Sequence, residues 1–148
     1  MESGLTRTLE EYLETIYVLK YVEGKKVIRV RDIARKLGVK MSSVTVAMKR
    51  LAELGFIEYE VREYIDLTEK GKKLGEELYN REEIIVEFLT KVLRVSEETA
   101  RKDACKMEHE LSQETVDRIL LFIKFLEHDA HKRILDEFKK FLEKQADA

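Results

Sequence analysis

The fold is decided by residues 30–51, VRDIARKLGVKMSSVTVAMKRL. A short helix is predicted over residues 32–37, and Gly38 is expected to end it as a left-handed cap. A second helix is predicted over residues 42–54. Its inward-facing positions are Val44, Met48 and Leu51. Two helices joined by a short glycine-containing turn form a helix-turn-helix.

The second helix of this motif carries small hydroxyl side chains first and cations after them. Ser42 or Ser43 is expected to cap its N-terminus. This order suits a recognition helix, whose first residues reach the edges of the bases while its cations hold phosphates. The outward-facing residues are Ser42, Ser43, Thr45, Lys49 and Arg50.

Basic residues are concentrated in and just before this motif. Residues 25–50 carry nine lysines and arginines against Asp32 alone, a net charge of +8 in a chain whose total is −2. Such a block is typical of a surface that binds a polyanion. The alternative is a basic module that binds another protein. Beside the recognition helix, the candidate DNA contacts are Arg29, Arg31 and Lys40.

A β-hairpin is predicted after the second helix. Residues 56–60 and 64–67 form its strands, and residues 61–63 form the turn. Arg62 lies at the tip, where a cation can reach phosphate or a minor groove. Helices followed by a hairpin in this order make a winged helix-turn-helix.

The other predicted elements are mainly helical. An amphipathic helix covers residues 8–22, and residues 27–30 form a short extended run. Amphipathic helices also follow the hairpin, opened in turn by Thr68, Ser96 and Ser112, with a last helix over residues 132–144. Phe122 and Phe125 widen the apolar face of one of them, which is typical of burial against a second chain.

A possible metal site lies in the C-terminal half. Cys105, the single cysteine, is followed three and four positions later by Glu108 and His109. Side chains at these spacings share one face of a helix, and all three types ligate divalent transition metals. The alternative is a buried structural cysteine beside two solvated polar residues.

The composition predicts a highly charged cytoplasmic protein with no membrane association. Charged residues make up 39% of the chain. No apolar run approaches the roughly 20 residues of a membrane span. The N-terminus lacks the apolar core of a signal peptide. A single cysteine excludes an internal disulfide.

Taken together, these motifs resemble the diphtheria toxin repressor family of dimeric, metal-dependent transcriptional repressors. The resemblance covers nearly the whole chain, and the length is closer to its manganese transport regulator branch. It depends on four segments that occur in the family's order: EEYLETIY (residues 10–17), VRDIA (residues 30–34), SSVT (residues 42–45) and CKMEHELS (residues 105–112).

The resemblance implies a primary metal site with both hard and soft ligands. Glu11, Cys105, Glu108 and His109 are its implied ligands, with Glu14 and Glu82 as possible additions. Oxygen ligands suit Mn(II) or Fe(II), while a thiolate favours Fe(II), Co(II), Ni(II) or Zn(II). We expect Fe(II) or Mn(II), with the other metals able to bind in vitro.

A second metal site of the family is expected to be absent. Its three ligand positions correspond to Glu82, Val86 and Arg101. A valine cannot ligate, and an arginine would repel a cation.

We therefore expect a winged helix-turn-helix DNA-binding domain over residues 1–72 and a helical dimerisation and metal-binding domain over residues 73–148. The expected function is metal-dependent repression of metal-uptake genes by a homodimer on a palindromic, double-stranded operator. The alternative is a DNA-binding regulator that senses thiol oxidation through Cys105. An enzyme, with Cys105 as nucleophile and His109 as base, is not expected because no third orienting group is present.

Overall fold

The computed structural model describes residues 3–60 and 64–147. These residues form seven α-helices and one two-stranded sheet, so the predicted mainly helical fold class is confirmed. The described chain divides into two compact units, and it passes from one to the other between Asn80 and Arg81. The predicted functional boundary between residues 72 and 73 stays a prediction.

The first unit begins with α1, Arg7–Tyr17, which continues into a π-helical turn, Val18–Val22. Together they cover the helix predicted over residues 8–22. The backbone N–H of Leu9 donates to Oγ1 of Thr6, which caps α1 at 3.2 Å. Residues on the inner face, including Leu13 and Ile16, are fully buried.

The helix-turn-helix consists of α2, Val30–Leu37, and α3, Met41–Glu53. Gly38 adopts φ = 66°, so the predicted left-handed cap is confirmed. The N-cap of α3 is Lys40, and its side chain makes no capping hydrogen bond. The predicted serine cap was therefore wrong, because the helix begins before Ser42 and places both serines inside its first turn. The inward-facing residues of α3, all buried, are Val44, Met48 and Leu51.

The wing consists of β1, Ile57–Tyr59, and β2, Ile65–Leu67, paired antiparallel. The predicted turn at residues 61–63, with Arg62, lies outside the described residues. The extended run predicted over residues 27–30 was wrong in extent. Of those residues only Ile28 pairs, through one bridge to Ile65, and Val30 already begins α2.

Helix α4, Glu69–Glu87, follows the wing, and Thr68 caps it by accepting from the N–H of Gly71 at 3.1 Å. Two glycines allow close packing within the first unit. A Cβ at Gly71 would lie 1.9 Å from the carbonyl oxygen of Phe56. A Cβ at Gly75 would lie 2.8 Å from the Cβ of Tyr17.

The second unit holds the end of α4, a π-helical turn and three more helices. These elements are Phe88–Val92, α5 Glu97–Glu110, α6 Gln113–Glu127 and α7 Lys132–Ala146. Ser96 and Ser112 cap α5 and α6, as predicted. One core cluster forms around Ile85 and Ala104, and another around Ile123. No described helix is both long and apolar enough to cross a bilayer.

Candidate metal centre and nucleic-acid interface

The outer face of α3 has the polar character expected of a recognition helix. Ser42, Ser43, Lys49 and Arg50 are exposed. Thr45 is half-buried, and its hydroxyl donates to the carbonyl oxygen of Met41 at 3.0 Å. The hydroxyl of Thr45 is therefore engaged by its own helix, which leaves the two serines as the accessible hydroxyls.

Within residues 3–60, the predicted DNA-contacting cations are all exposed. Arg50 forms an ion pair with Glu53 at 3.2 Å. The other predicted cations form no ion pair with any carboxylate in the described residues: Arg29, Arg31, Lys40 and Lys49. Exposed cations that form no ion pair are available for contacts to phosphate.

Sequence reasoning missed an apolar feature of α3. Val46 is 70% exposed and lies one helical turn after Ser42, among the hydroxyls and cations. Met41, the first residue of α3, is also exposed. The helical spacing from Ser42 was the available signal. Apolar side chains on a recognition helix can contact the methyl group of thymine, which marks A·T pairs in the major groove.

The predicted carboxylates of α1 differ in their surroundings. Glu11 is partly exposed and forms an ion pair with Arg7, with Nε and Oε1 separated by 3.6 Å. Glu14, one turn later, is buried. Glu10 is also buried and accepts a hydrogen bond from Ser3. A buried carboxylate costs free energy unless hydrogen bonds or a cation stabilise it.

The three predicted ligands of α5 lie near its C-terminus. Oε1 of Glu108 lies 3.0 Å from Nε2 of His109, and both side chains are almost fully buried. Cys105 is a free thiol of intermediate burial, one turn earlier. The apolar positions Ala100 and Ala104 are fully buried and fix the orientation of the helix.

This donor set fits a divalent transition metal. A thiol, a carboxylate and an imidazole are placed on one helix at the spacing that lets them share a face. The close approach of the Glu108 and His109 donor atoms shows that two of the three already converge. Mixed oxygen, nitrogen and sulfur ligands are typical of sites for Fe(II), Co(II) or Zn(II), and oxygen and nitrogen ligands also suit Mn(II).

Arg81 is a second residue that sequence reasoning missed. It is only 5% exposed, and its guanidinium donates to three oxygens near the end of α5 and the start of α6. No local pattern marks it, because it is one of many charged residues on α4. Its acceptors lie 27 to 32 positions away along the chain.

Arg101, at one of the three positions of the family's second metal site, forms ion pairs with neighbouring carboxylates. Its guanidinium donates to Glu83 and lies 3.9 Å from Glu97. The hydrogen bond to Glu83, with smaller contributions from Glu82 and other nearby carboxylates, raises the pKa of Arg101. This permanent cation stands among the acidic side chains of α4 and α5, so the expected absence of a second metal site stays a prediction with a physical reason.

The second unit has exposed aromatic residues on α6. Phe122 and Phe125 are 45% and 47% exposed, and their rings stack with centroids 6.4 Å apart. Phe88, in the π-helical turn Phe88–Val92, also lies beside Phe122, with ring centroids 6.5 Å apart. Helix α7 has no buried residue and exposes Ile134 and Phe141. Adjacent exposed aromatic residues are typical of a protein–protein interface.

Two family models match consecutive parts of the chain. Residues 4–64 match the N-terminal DNA-binding domain of the iron-dependent repressors. Residues 68–136 match the metal-binding and dimerisation domain of the same proteins. The first match contains α3 and its exposed cations, and the second contains the donors of α5 and the exposed aromatic residues of α6.

Curated relatives align with this chain over most of their length. The transcriptional regulator MntR of Bacillus subtilis is 38% identical over 136 residues, which cover 91% of this chain and 94% of MntR. A helix-turn-helix type transcriptional regulator of Methanocaldococcus jannaschii is 36% identical over 119 residues, covering 80% of this chain and 94% of the relative.

Solved structures show the same fold. The manganese regulator SloR superimposes with a TM-score of 0.69 at 28% identity, covering 82% of this chain and 55% of SloR. ScaR with bound Zn2+ has a TM-score of 0.65 at 28% identity, covering 79% of this chain and 54% of ScaR. The chain thus spans about half the length of these solved chains.

Proposed function

Because the chain belongs to the iron-dependent repressor family, we propose that it represses metal-uptake genes under the control of a divalent metal. It is a metal-dependent, DNA-binding transcriptional regulator, with the DNA-binding and the metal-binding and dimerisation domains of its family. One observation carries the proposal. The same chain holds a recognition helix surrounded by exposed cations and a helix with convergent metal donors. A dimer presents two recognition helices, so we expect a palindromic operator.

The proposed ligands are drawn from both halves of the sequence. Glu108 and His109 are the best supported, since their donor atoms already lie together. Cys105 follows from its spacing on the same helix. Glu11, Glu14 and Glu82 are proposed from the family resemblance, and the burial of Glu14 favours a cation partner for its carboxylate.

Mn(II) or Fe(II) is the proposed physiological metal. The relatives include a protein described as a manganese regulator, which supports Mn(II). The thiol of Cys105 favours softer ions and keeps Fe(II) as the second candidate. Co(II), Ni(II) and Zn(II) are expected to bind in vitro, and the related ScaR has been solved with Zn2+.

We propose that metal occupancy and DNA binding are linked because the ligands come from both domains. Carboxylates of α1 belong to the same unit as the recognition helix, whereas the donors of α5 belong to the other unit. A metal held by the proposed ligands would supply a positive charge that offsets the negative charges of their carboxylates. Occupancy therefore favours those arrangements of the dimer that match the operator, which is a shift in population between states.

The test is operator affinity with and without metal, measured anaerobically at fixed salt because phosphate contacts make affinity steeply salt-dependent. The DNA is a fragment selected by the Mn(II)-loaded protein from a random pool. Wild-type protein should bind it far more tightly with Mn(II) or Fe(II), and Glu11→Ala should lose that dependence. The matched control is Glu137→Ala, an exposed glutamate of α7.

Two outcomes would contradict this scheme at different points. Metal dependence that is unchanged in Glu11→Ala would remove Glu11 from the ligand set. Operator binding by the wild type that ignores every metal would overturn the proposed function itself.

The other proposed attributes follow from this function. The relatives are transcriptional regulators, so we propose a cytoplasmic binding protein rather than an enzyme. The thiol-oxidation alternative gains no support from relatives described by the metals they respond to or hold. It predicts DNA release when Cys105 is oxidised in strictly metal-free protein, which a gel-shift assay with peroxide would detect.

A further inference from the structure

Arg81 is a buried cation whose three hydrogen bonds converge on the end of the ligand helix. Its Nη2 donates to the carbonyl oxygens of Glu108 and Leu111, both at 2.7 Å. Its Nη1 donates to Oε1 of Gln113, the first residue of α6, also at 2.7 Å. All of these residues lie in the second unit. A charged side chain with 5% exposure is rare unless its contacts are specific.

Arg81 binds the C-terminal end of α5, which the hydrogen bonds of the helix itself do not stabilise. The last carbonyls of an α-helix have no partner within the helix, and its last turn frays. Glu108 and His109 lie in that turn, since α5 ends at Glu110. A guanidinium bound to the carbonyl of Glu108 satisfies one of those groups, and its charge interacts favourably with the negative end of the helix dipole.

The three acceptors of Arg81 can be reached together because the guanidinium group is forked. One side chain reaches a carbonyl inside α5, a carbonyl just after it and an amide oxygen on α6. These acceptors hold the corner between the helices in one conformation. A lysine carries the same charge on a single nitrogen and cannot reproduce this planar, multidentate contact.

We propose that Arg81 is the positioning residue of the metal site. It fixes the backbone of Glu108, and through it the direction of the neighbouring His109, before metal binds. This inference rests on the proposed function, because it assumes that Glu108 and His109 are ligands. Residues that orient ligands commonly change metal affinity by about 10–100-fold when they are replaced.

The experiment compares wild type, Arg81→Met and Arg81→Lys after complete chelation, without DNA. Mn(II) affinity is measured from the electron paramagnetic resonance signal of the free ion, and the Co(II) absorption spectrum reports coordination geometry. Thermal unfolding of the metal-free protein reports stability separately. We expect the Kd for Mn(II) to rise about 10–100-fold in Arg81→Met, with an altered Co(II) spectrum. Arg81→Lys should restore little of the affinity.

The matched control is Arg118→Met, an exposed arginine of α6 for which the described residues show no hydrogen bond. It should leave both the Kd and the Co(II) spectrum unchanged. An Arg81→Met protein that melts earlier but keeps the wild-type Kd and spectrum would overturn the proposal. If Arg81→Met does not fold, wild-type affinity in Arg81→Lys overturns it equally. Failure of the wild type to bind either metal would overturn the proposed function, and this inference with it.

Discussion

Oε1 of Glu108 lies 3.0 Å from Nε2 of His109, although the two residues are consecutive on α5. Consecutive side chains leave a helix about 100° apart, so these two turn towards each other. Donor atoms that already converge need little rearrangement to share a cation, which is how preorganised sites reach high affinity. Cys105, three positions before Glu108 and four before His109, shares this helical face and is the proposed soft donor.

Replacement of Cys105 by serine should change which metals bind best. The thiolate favours Zn(II) and Co(II), whereas Mn(II) depends chiefly on oxygen and nitrogen ligands. We expect Zn(II) affinity to fall at least about tenfold more than Mn(II) affinity, since even outer-shell changes cost about 10–100-fold. Competition with a chromophoric chelator measures both constants. Asp103→Ser, an exposed change on the same helix, is the control. Equal losses for the two metals would show that the sulfur is not a ligand.

Val46 should contribute to sequence recognition rather than to general DNA affinity. Its side chain is exposed between the hydroxyls and the cations of α3, where a thymine methyl group could pack against it. We expect Val46→Ala to weaken binding to the selected operator while binding to random DNA is unchanged. Replacing the critical thymine by deoxyuridine should cause the same loss in wild type and no further loss in the variant.

Lys49→Ala provides the contrast on the same helix. Removal of a lysine that contacts phosphate should weaken binding to every sequence and reduce the slope of log affinity against log salt by about one. Loss of random-DNA binding in Val46→Ala would contradict the distinction between these two residues.

Some features that depend on neighbouring residues could be predicted from the sequence, whereas contacts between distant side chains could not. The left-handed Gly38 cap was predictable because glycine tolerates positive φ at low cost. The cap at Ser42 or Ser43 was wrong because α3 already begins at Met41, which places both serines inside its first turn. The contacts of Arg81 join residues about thirty positions apart, and they exist only once the helices are packed.

Gly71→Ala should destabilise the first unit even though alanine is the better helix former. The added Cβ would lie 1.9 Å from the carbonyl oxygen of Phe56, so the backbone of one element must shift. Overpacking of this kind typically costs about 1–3 kcal/mol, which exceeds the roughly 1 kcal/mol that alanine gains over glycine in a helix. Urea unfolding measures the loss. Lys73→Ala, an exposed change on α4, should stay within about 0.5 kcal/mol of wild type. A more stable Gly71→Ala protein would contradict the close packing.

Lys20 should contribute to the unfolding free energy of the first unit, and this contribution should be lost at high pH. Its ammonium donates to Asp66 of β2, and this hydrogen bond raises the pKa of Lys20 above its usual 10.5. The folded state therefore holds the proton more tightly than the unfolded state. The contribution is fully present below pH 10.5 and is lost as the pH rises through the raised pKa. The difference in unfolding free energy between wild type and Lys20→Met should shrink over that window. Lys26→Met, at an exposed lysine with no ion pair in the described residues, is the matched control. A difference between wild type and Lys20→Met that does not depend on pH would contradict the ion pair.

Phe122→Glu should dissociate the dimer without unfolding the protein. Phe122 is 45% exposed, stacks on Phe125 and contacts Phe88, so the folded chain does not need its full burial. An aromatic residue at the centre of an interface commonly contributes about 2 kcal/mol or more, which is roughly a 30-fold change in the dissociation constant. Sedimentation equilibrium measures that constant, and circular dichroism confirms that the helices persist. Tyr64→Glu, at an exposed aromatic residue of the first unit, should leave the dimer intact. An unchanged dissociation constant in Phe122→Glu would show that Phe122 is not in the dimer interface. The exposed residues Ile134 and Phe141 of α7 would then be the next to replace.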